Sequence, residues 1–240
     1  MKYLLITILL FLTGLEGCLE SSKDSLRSRS NEITETDMTY SYLALGDSYT
    51  IGESVNENKR WPVQLVEKLR RDNIQINTPV IVAKTGWTSD DLIKGISDSG
   101  IEGNFDLVSL LIGVNNQYRG WSSETFREEF KHLADLAIKF GNGEKDRVFV
   151  LTIPDWGVMP FAEGQDRAKI ASEIDLFNSI VKEECEVAGI ICVDITPISR
   201  DASQNITLVA GDGLHPSAAM YSLWVDAVYN YTLNILRKNR

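Results

Sequence analysis

The chain has 240 residues, of which 43% are hydrophobic, so it can bury one substantial core and is too apolar to be disordered throughout. Its formal net charge of −10 argues against a nucleic-acid partner, because proteins that bind nucleic acids usually present a basic face. The charge does not identify a substrate, since an acidic surface is also common on soluble proteins.

The first 17 residues have the pattern of a secretory signal. Lys2 supplies the positive charge, and the apolar stretch 3–12 is too short to span a membrane. It leads into Leu15-Glu16-Gly17-Cys18, which resembles a bacterial lipobox, although Glu16 replaces the usual small or apolar residue. We therefore expect a lipoprotein signal peptide at 1–17 and a lipidated Cys18 that anchors the protein to a membrane of the bacterial cell envelope. The alternatives are ordinary cleavage, which would give a periplasmic or secreted protein, and an uncleaved anchor.

Residues 18–39 are mostly polar and predict a flexible tether, so we expect the folded domain at residues 40–240. Cys185 and Cys192, the cysteines of this domain, could form a disulfide outside the cytoplasm or stay as two buried thiols. The spacing of cysteines and histidines is not that of a metal site, and we expect neither a metal nor an organic cofactor.

From residue 40 the apolar pattern alternates between strands and helices. Short apolar runs predict strands, and helical periodicity predicts the segments between them. In chain order the pattern predicts strands at 42–45, 74–83, 105–112, 147–153 and 190–195 and helices at 61–71, 89–96, 122–140, 165–188 and 216–236. Pro216 would lie in the first turn of the last helix. The alternation predicts an α/β fold of three layers, α/β/α, around a parallel sheet of about five strands.

Residues with reactive or hydrogen-bonding side chains follow the predicted strands. Gly46-Asp47-Ser48 comes after the first strand, Gly86 after the second and Gly113-Val114-Asn115 after the third. Asp212-Gly213-Leu214-His215 comes directly before the last helix. Each block alone could be a turn or a helix cap. Because binding sites of parallel α/β sheets lie at the carboxyl ends of the strands, their joint occurrence there predicts one common site.

A serine hydroxyl needs an adjacent base to act as a nucleophile. His215 is the candidate base for Ser48, because the other histidine, His132, falls within a predicted helix and is expected to be a surface or packing residue. Asp212 lies three residues before His215, so its carboxylate can accept the imidazole N–H and stabilise the imidazolium.

The four blocks resemble, in order, those of the SGNH (GDSL) hydrolases, which are named after Ser, Gly, Asn and His. The resemblance covers about residues 41–236 and implies a flavodoxin-like fold and a serine esterase. It implies Ser48 as nucleophile, with His215 and Asp212 completing a catalytic triad. It also implies an oxyanion hole made of the backbone N–H groups of Ser48 and Gly86 and the side-chain amide of Asn115.

Two features depart from related patterns. The GxSxG elbow of α/β-hydrolases is absent, because Tyr49 and Thr50 follow Ser48. Members of the SGNH family often have Asp after the Asn of the third block, whereas this chain has Asn116. We expect this difference to change the local support of the loop only modestly.

Trp87 and Trp156 follow the second and fourth strands and are candidates for the substrate pocket, although aromatic residues at such positions often only pack. Tyr118 and Trp121 are weaker candidates. The implied reaction accepts carboxylic esters such as acetylated carbohydrates, lysophospholipids and small acyl esters, and the fold does not choose among them. The alternatives are an acyltransferase with the same triad and a non-catalytic binding module on the same fold, which could hold an anion at the helix after Gly46. The sequence does not predict the oligomeric state.

Overall fold

The computed structural model describes residues 39–238, and a parallel sheet forms the centre of this part of the chain. Its strands, in the spatial order β2-β1-β3-β4-β5, are β1 (Tyr42–Gly46), β2 (Val80–Ala83), β3 (Leu107–Leu111), β4 (Val148–Leu151) and β5 (Ile191–Val193). The three inner strands are buried along their whole length, as their continuous apolar runs predict, whereas both edge strands are partly exposed. The predicted fold, a parallel five-stranded sheet between helices, is confirmed.

Helices lie on both faces of the sheet. The α-helices are α1 (Ser48–Ile51), α2 (Trp61–Arg71), α3 (Ser89–Ser99), α4 (Val114–Tyr118), α5 (Ser123–Phe140), α6 (Arg167–Ala188), α7 (Thr196–Arg200) and α8 (Ala218–Lys238). Short 3-10 helices lie at Glu57–Lys59, Lys145–Arg147, Trp156–Val158, Pro160–Ala162, Asp201–Ser203 and Ile206–Leu208. Helix α2 packs against α8, and α5 packs against α3 and α6. These contacts agree with right-handed crossovers, which place α2 and α3 on opposite faces.

Two predicted elements differ from the structure. The strand predicted at 74–83 pairs with β1 only over Val80–Ala83, and Ile76 forms an isolated bridge with Tyr40. Pro79 separates these two segments, because it has no N–H to donate to a strand ladder. Pro216 is not in the first turn of the last helix: it pairs with Val209, and α8 begins at Ala218.

The order of the strands determines where a crevice forms. The chain leaves β1 towards β2 at one edge of the sheet and leaves β3 towards β4 in the opposite direction. Between two adjacent strands with diverging connections, a crevice opens at the carboxyl ends. Ser48 follows β1 directly and Asn115 follows β3, so both residues lie at this crevice.

The structure gives Cys185 and Cys192 as free thiols in contact, one in α6 and one in β5. Their mutual hydrogen bond, together with burial, raises the pKa of Cys185. No helix within residues 39–238 is both long and apolar enough to cross a membrane. The predicted signal peptide and Cys18 lie outside the described residues.

Candidate active site

A cleft of about 160 Å³ lies at the crevice between β1 and β3. It contains five of the residues that the sequence singles out, Ser48, Asn115, Tyr118, Trp156 and His215. Its other lining residues are Tyr49, Val114, Phe161 and Leu214. Three separate blocks of the sequence therefore meet in one cavity, as the strand-end argument predicts.

Ser48 is placed by a tight turn from β1 into α1. A Cβ atom added to Gly46 would lie 2.2 Å from Thr50 Oγ1 and 2.5 Å from the carbonyl oxygen of Leu111, so only glycine fits there. Asp47 caps α1 by accepting the backbone N–H of Tyr49 at 3.0 Å. As the first residue of the helix, Ser48 has a backbone N–H that no bond within the helix uses.

The carboxylate of Asp47 is fully buried directly beside Ser48. Its Oδ1 accepts the Tyr49 N–H, whereas Oδ2 has no hydrogen-bond partner among the described residues. Burial raises the pKa of Asp47 to about 7, although the hydrogen bond from Tyr49 lowers it. Asp47 is therefore partly protonated near neutral pH, and its structural task is to cap the helix that carries Ser48.

His215 and Asp212 form a hydrogen-bonded pair. The distance from His215 Nδ1 to Asp212 Oδ2 is 2.6 Å, and Asp212 Oδ1 accepts the backbone N–H groups of Leu214 and His215, each at 2.9 Å. Burial raises the pKa of Asp212, but hydrogen bonds from Ser54, His215 and these amides outweigh it and hold that pKa well below its usual range. Asp212 is therefore ionised and can fix the tautomer of His215.

The imidazole of His215 is buried and packs edge-on against the ring of Tyr49, with 5.8 Å between ring centroids. The Ser48 hydroxyl lines the same cleft but makes no direct hydrogen bond to His215 within residues 39–238. Such a bond between nucleophile and base often shortens only when substrate is bound.

Asn115 lines the cleft. One N–H of its side-chain amide donates to the carbonyl oxygen of Trp87 at 2.9 Å, which leaves the second N–H for another acceptor. The bond joins α4 to the loop that carries Gly86. Gly86 has a φ of +82°, and a Cβ atom there would meet only Arg119, at 3.9 Å. Backbone conformation therefore requires glycine at this position, and crowding by neighbouring protein atoms does not.

Asn116 contributes more to the structure than the sequence suggests. Its side chain is fully buried, Oδ1 accepts the backbone N–H of Ser89 at 3.0 Å, and Nδ2 donates to Ser89 Oγ at 2.7 Å. A longer contact of 3.5 Å joins Nδ2 to Glu129 Oε2. Asn116 thus connects α4 to the start of α3 and to α5.

An aromatic wall, formed by Tyr118, Trp156 and Phe161, borders the cleft. The ring of Trp156 lies 5.3 Å from that of Tyr118 and 6.1 Å from that of Phe161, and its Nε1 donates to Gln117 at 2.7 Å. Trp156 is buried, whereas Tyr118 and Phe161 are 57% and 47% exposed. The wall is therefore held from behind and open towards the solvent.

The two other tryptophans singled out from the sequence do not line the cleft. The ring of Trp87 packs over Gly95 of α3, where an added Cβ atom would lie 2.1 Å from the ring. Trp121 lies beside Arg119, whose Cζ atom is 5.8 Å from the centroid of the Trp121 ring. His132 is exposed on α5, as the sequence predicts.

Sequence reasoning missed Phe161 and Ser54. Phe161 follows β4 in Pro160-Phe161-Ala162, and its N–H donates to the carbonyl oxygen of Gly213 at 2.9 Å, next to His215. An apolar aromatic residue in a loop after a strand was the available signal. Ser54 Oγ donates to Asp212 Oδ2 at 2.6 Å, and no pattern in the sequence indicates this contact. Within residues 39–238, no group of three or more His, Cys, Asp or Glu side chains is arranged to hold a metal ion.

Several solved structures of other proteins have a similar architecture. The structure resembles that of TesA, with 18% identity and a TM-score of 0.65 over 82% of this chain and 99% of the other. It resembles the psychrotrophic esterase EstA from Pseudoalteromonas sp., with 16% identity and a TM-score of 0.63 over 82% and 99%. It also resembles Axe2, an acetylxylan esterase from Geobacillus stearothermophilus, with 18% identity and a TM-score of 0.62 over 80% and 94%. At these identities the likeness concerns the fold.

A search among curated proteins found no match. The model of one family, described as the GDSL-like lipase/acylhydrolase family, matches residues 44–223. This range contains the strand-end blocks with Ser48, Gly86 and Asn115 and also the pair of Asp212 and His215. Because the match spans most of the chain, the protein belongs to the GDSL-like lipase/acylhydrolase family and is a carboxylic ester hydrolase.

Proposed function

We propose that the protein hydrolyses carboxylic esters through an acyl-enzyme formed on Ser48. One observation carries this proposal: His215, which is hydrogen-bonded to Asp212, lines the same cleft as Ser48 and Asn115. A site that only bound ligands would have no use for an ionised carboxylate fixed to an imidazole beside a serine.

The proposed reaction has two halves. Ser48 Oγ attacks the carbonyl carbon of the ester while His215 Nε2 takes its proton, and the same proton then passes to the leaving alcohol. The acyl group stays on Ser48. Water attacks this second ester, His215 takes the proton of the water, and Ser48 recovers a proton as the carboxylic acid leaves. Asp212 stabilises the imidazolium in both halves and does not itself transfer a proton.

The negative charge on the carbonyl oxygen would be held by three donors. These are the backbone N–H groups of Ser48 and Gly86 and the second N–H of the Asn115 amide. Their positions support this role, because the N–H of Ser48 begins a helix and Asn115 is bonded to the residue after Gly86. Donors fixed before the reaction stabilise the transition state without reorganisation, which is the largest contribution in many acyl-transfer enzymes.

The shape of the cleft favours a small acyl group. Its volume of about 160 Å³ is below the roughly 300–1,000 Å³ of pockets that enclose drug-sized ligands. The half-exposed rings of the aromatic wall offer a flat apolar surface to the rest of the substrate. Among acetylated carbohydrates, lysophospholipids and small acyl esters, these features support short-acyl esters, with a ring such as a sugar as the alcohol. Axe2, which shares the fold, is an acetylxylan esterase.

The test is a panel of p-nitrophenyl esters of increasing acyl length, together with acetylated xylan, assayed with the wild-type protein and Ser48→Ala. We expect the highest kcat/KM with acetyl esters and no activity above background in Ser48→Ala, whose circular dichroism should match the wild type. Activity that survived in Ser48→Ala would refute the nucleophile, and a preference for long acyl chains would refute the substrate assignment.

We also propose that the protein is a lipoprotein of the bacterial cell envelope. Support comes from the sequence alone, where the apolar stretch 3–12 leads to Gly17-Cys18 and a polar tether follows. Mass spectrometry of the mature N-terminus should find acyl chains on Cys18, and Cys18→Ser should release the protein from membranes. Cleavage at another residue, without acyl chains, would contradict this location.

A further inference from the structure

Ser54 contacts the acid of the triad directly. Its hydroxyl donates to Asp212 Oδ2 at 2.6 Å, and the same oxygen accepts His215 Nδ1 at 2.6 Å. The other oxygen, Oδ1, accepts two backbone N–H groups. Asp212 therefore has four donors, three from its own loop and one, Ser54, from 158 residues away along the chain.

The position of Ser54 is determined by the backbone of Ser48. The carbonyl oxygen of Ser48 accepts the N–H groups of Gly52 and Glu53, each at 3.0 Å. Gly52 has a φ of +70°, and a Cβ atom there would lie 2.4 Å from Arg60 Cγ, so the turn needs glycine. Ser54 follows two residues later and has a φ of +64°, a left-handed conformation that is uncommon for a residue other than glycine.

A second contact holds the same turn. The carboxylate of Glu53 accepts the hydroxyl of Thr85, the residue directly before Gly86. The turn 52–54 is thus bonded to the nucleophile through its backbone, to the Gly86 loop through Glu53 and to the triad acid through Ser54. These contacts connect the three separate parts of the proposed catalytic site.

Other carboxyl groups lie around Asp212, so the hydrogen bonds that it accepts affect its pKa. Tyr49 lies near the carboxyl groups of Asp212, Asp47 and Asp155. Tyr221 lies near those of Asp212, Asp47 and Glu53. None of these neighbours donates a hydrogen bond to Asp212 among the described residues. Of the bonds that lower the pKa of Asp212 against its burial, the one from Ser54 contributes most. Removing it would leave more negative charge on Oδ2 and stabilise the imidazolium of His215.

We propose that Ser54 is a positioning residue for the triad, which fixes the Asp212 carboxylate relative to the nucleophile and limits how strongly that carboxylate holds a proton on His215. This rests on the proposed function for its effect on catalysis. The proposed effect of Ser54 on the His215 imidazole does not rest on that function, because the contact exists whether or not the protein hydrolyses an ester.

The decisive measurement is an NMR titration of the imidazole C–H signals in the full-length protein. The chain has two histidines, so His132→Gln assigns both signals, and the exposed His132 serves as an internal reference. In Ser54→Ala we expect the titration midpoint of His215 to move up by roughly half a pH unit or more, because the carboxylate loses a charge-assisted hydrogen bond. The midpoint of His132 should not move.

Two substitutions distinguish the role of the Ser54 hydroxyl from the role of its backbone conformation. Ser54→Ala keeps the left-handed strain, whereas Ser54→Gly relieves it, and both remove the donor. Both should lower kcat by about tenfold with little change in KM, and both should shift the acidic limb of the kcat/KM profile to higher pH. As a matched control, Ser122→Ala removes a serine hydroxyl that does not line the cleft, donates to Glu124 at 2.7 Å and caps α5. It should lower the melting temperature and leave the pH profile unchanged.

An unchanged or lowered His215 midpoint in both Ser54 variants would overturn the proposal. So would full activity in Ser54→Gly beside a defective Ser54→Ala, because the role would then belong to the backbone. If the wild type hydrolyses no ester, the proposed function fails, but the NMR titration still decides whether Ser54 controls the His215–Asp212 pair.

Discussion

Two neighbouring asparagines should respond to substitution in opposite ways. Asn115 lines the cleft and uses one amide N–H for Trp87, whereas the side chain of Asn116 is fully buried and bonded to Ser89. We expect Asn115→Ala to impair catalysis with a small loss of stability. We expect Asn116→Ala to impair stability with a small loss of catalysis.

The contacts of the two side chains determine how large the losses of kcat and of stability should be. Loss of one oxyanion donor in Asn115→Ala should lower kcat about 10²–10³-fold and leave KM nearly unchanged, because the contact strengthens only in the transition state. Its bond to Trp87 is partly exposed, so its loss should cost about 1 kcal/mol of stability. Asn116→Ala leaves the buried N–H of Ser89 without an acceptor and removes a second bond, which should cost roughly 2–4 kcal/mol.

The assay measures kcat and KM with p-nitrophenyl acetate well below the melting temperature, and the free energy of unfolding from urea titration, for both variants and the wild type. The expected pattern is a kcat defect at least about tenfold larger in Asn115→Ala and a stability defect larger in Asn116→Ala. An unchanged kcat with lowered stability in Asn115→Ala would remove Asn115 from the oxyanion hole. Equal kcat losses in both variants would refute the division of roles.

Three further predictions concern pH and specificity. The kcat/KM should fall as pH decreases within roughly pH 5–8, where an imidazole changes charge, and a flat profile with chemistry limiting would count against His215 as base. Because burial raises the pKa of Asp47 from 3.8 to about 7, its contribution to stability is full below pH 3.8 and is lost as pH rises through about 7. Asp47→Asn does not titrate, so urea unfolding should show its stability relative to wild type rising between about pH 4 and 7 by a few kcal/mol, and a pH-independent difference would contradict the buried charge. Phe161→Ala should raise KM for esters of bulky alcohols with little change for methyl acetate; equal effects in steady-state kinetics would exclude alcohol binding by the aromatic wall.

Local patterns were enough to predict the strands, the main helices and the blocks at the strand ends. The inner strands are continuous apolar runs because both of their faces are covered, and that pattern is visible without a structure. Asp212 and His215 are three residues apart, so their pairing follows from one loop. The strand predicted at 74–83 was too long at residues 74–79 for a local reason too. Pro79 has no N–H to donate, so the sequence alone indicates that pairing begins after it.

Contacts between distant segments could not be predicted in this way. Ser54 reaches Asp212 across 158 residues, and an exposed serine after a glutamate carries no sign of that partner. The same holds for Asn116, whose burial depends on how α3 and α5 pack around it. The structure also explains why Asn suits this position, because a carboxylate at residue 116 would face that of Glu129. Trp87 follows a strand as Trp156 does, but only packing decides which of the two rings reaches the cleft.

The central claim is that Ser48 is an activated nucleophile, and covalent labelling tests it most directly. The protein is incubated with a fluorophosphonate, digested and mapped by mass spectrometry, with Ser48→Ala and His215→Ala as controls. We predict one phosphonyl adduct, on Ser48, formed with loss of fluoride, and no labelling in Ser48→Ala and far slower labelling in His215→Ala. An unlabelled wild type, or an adduct on another serine that persists in Ser48→Ala, would contradict the account.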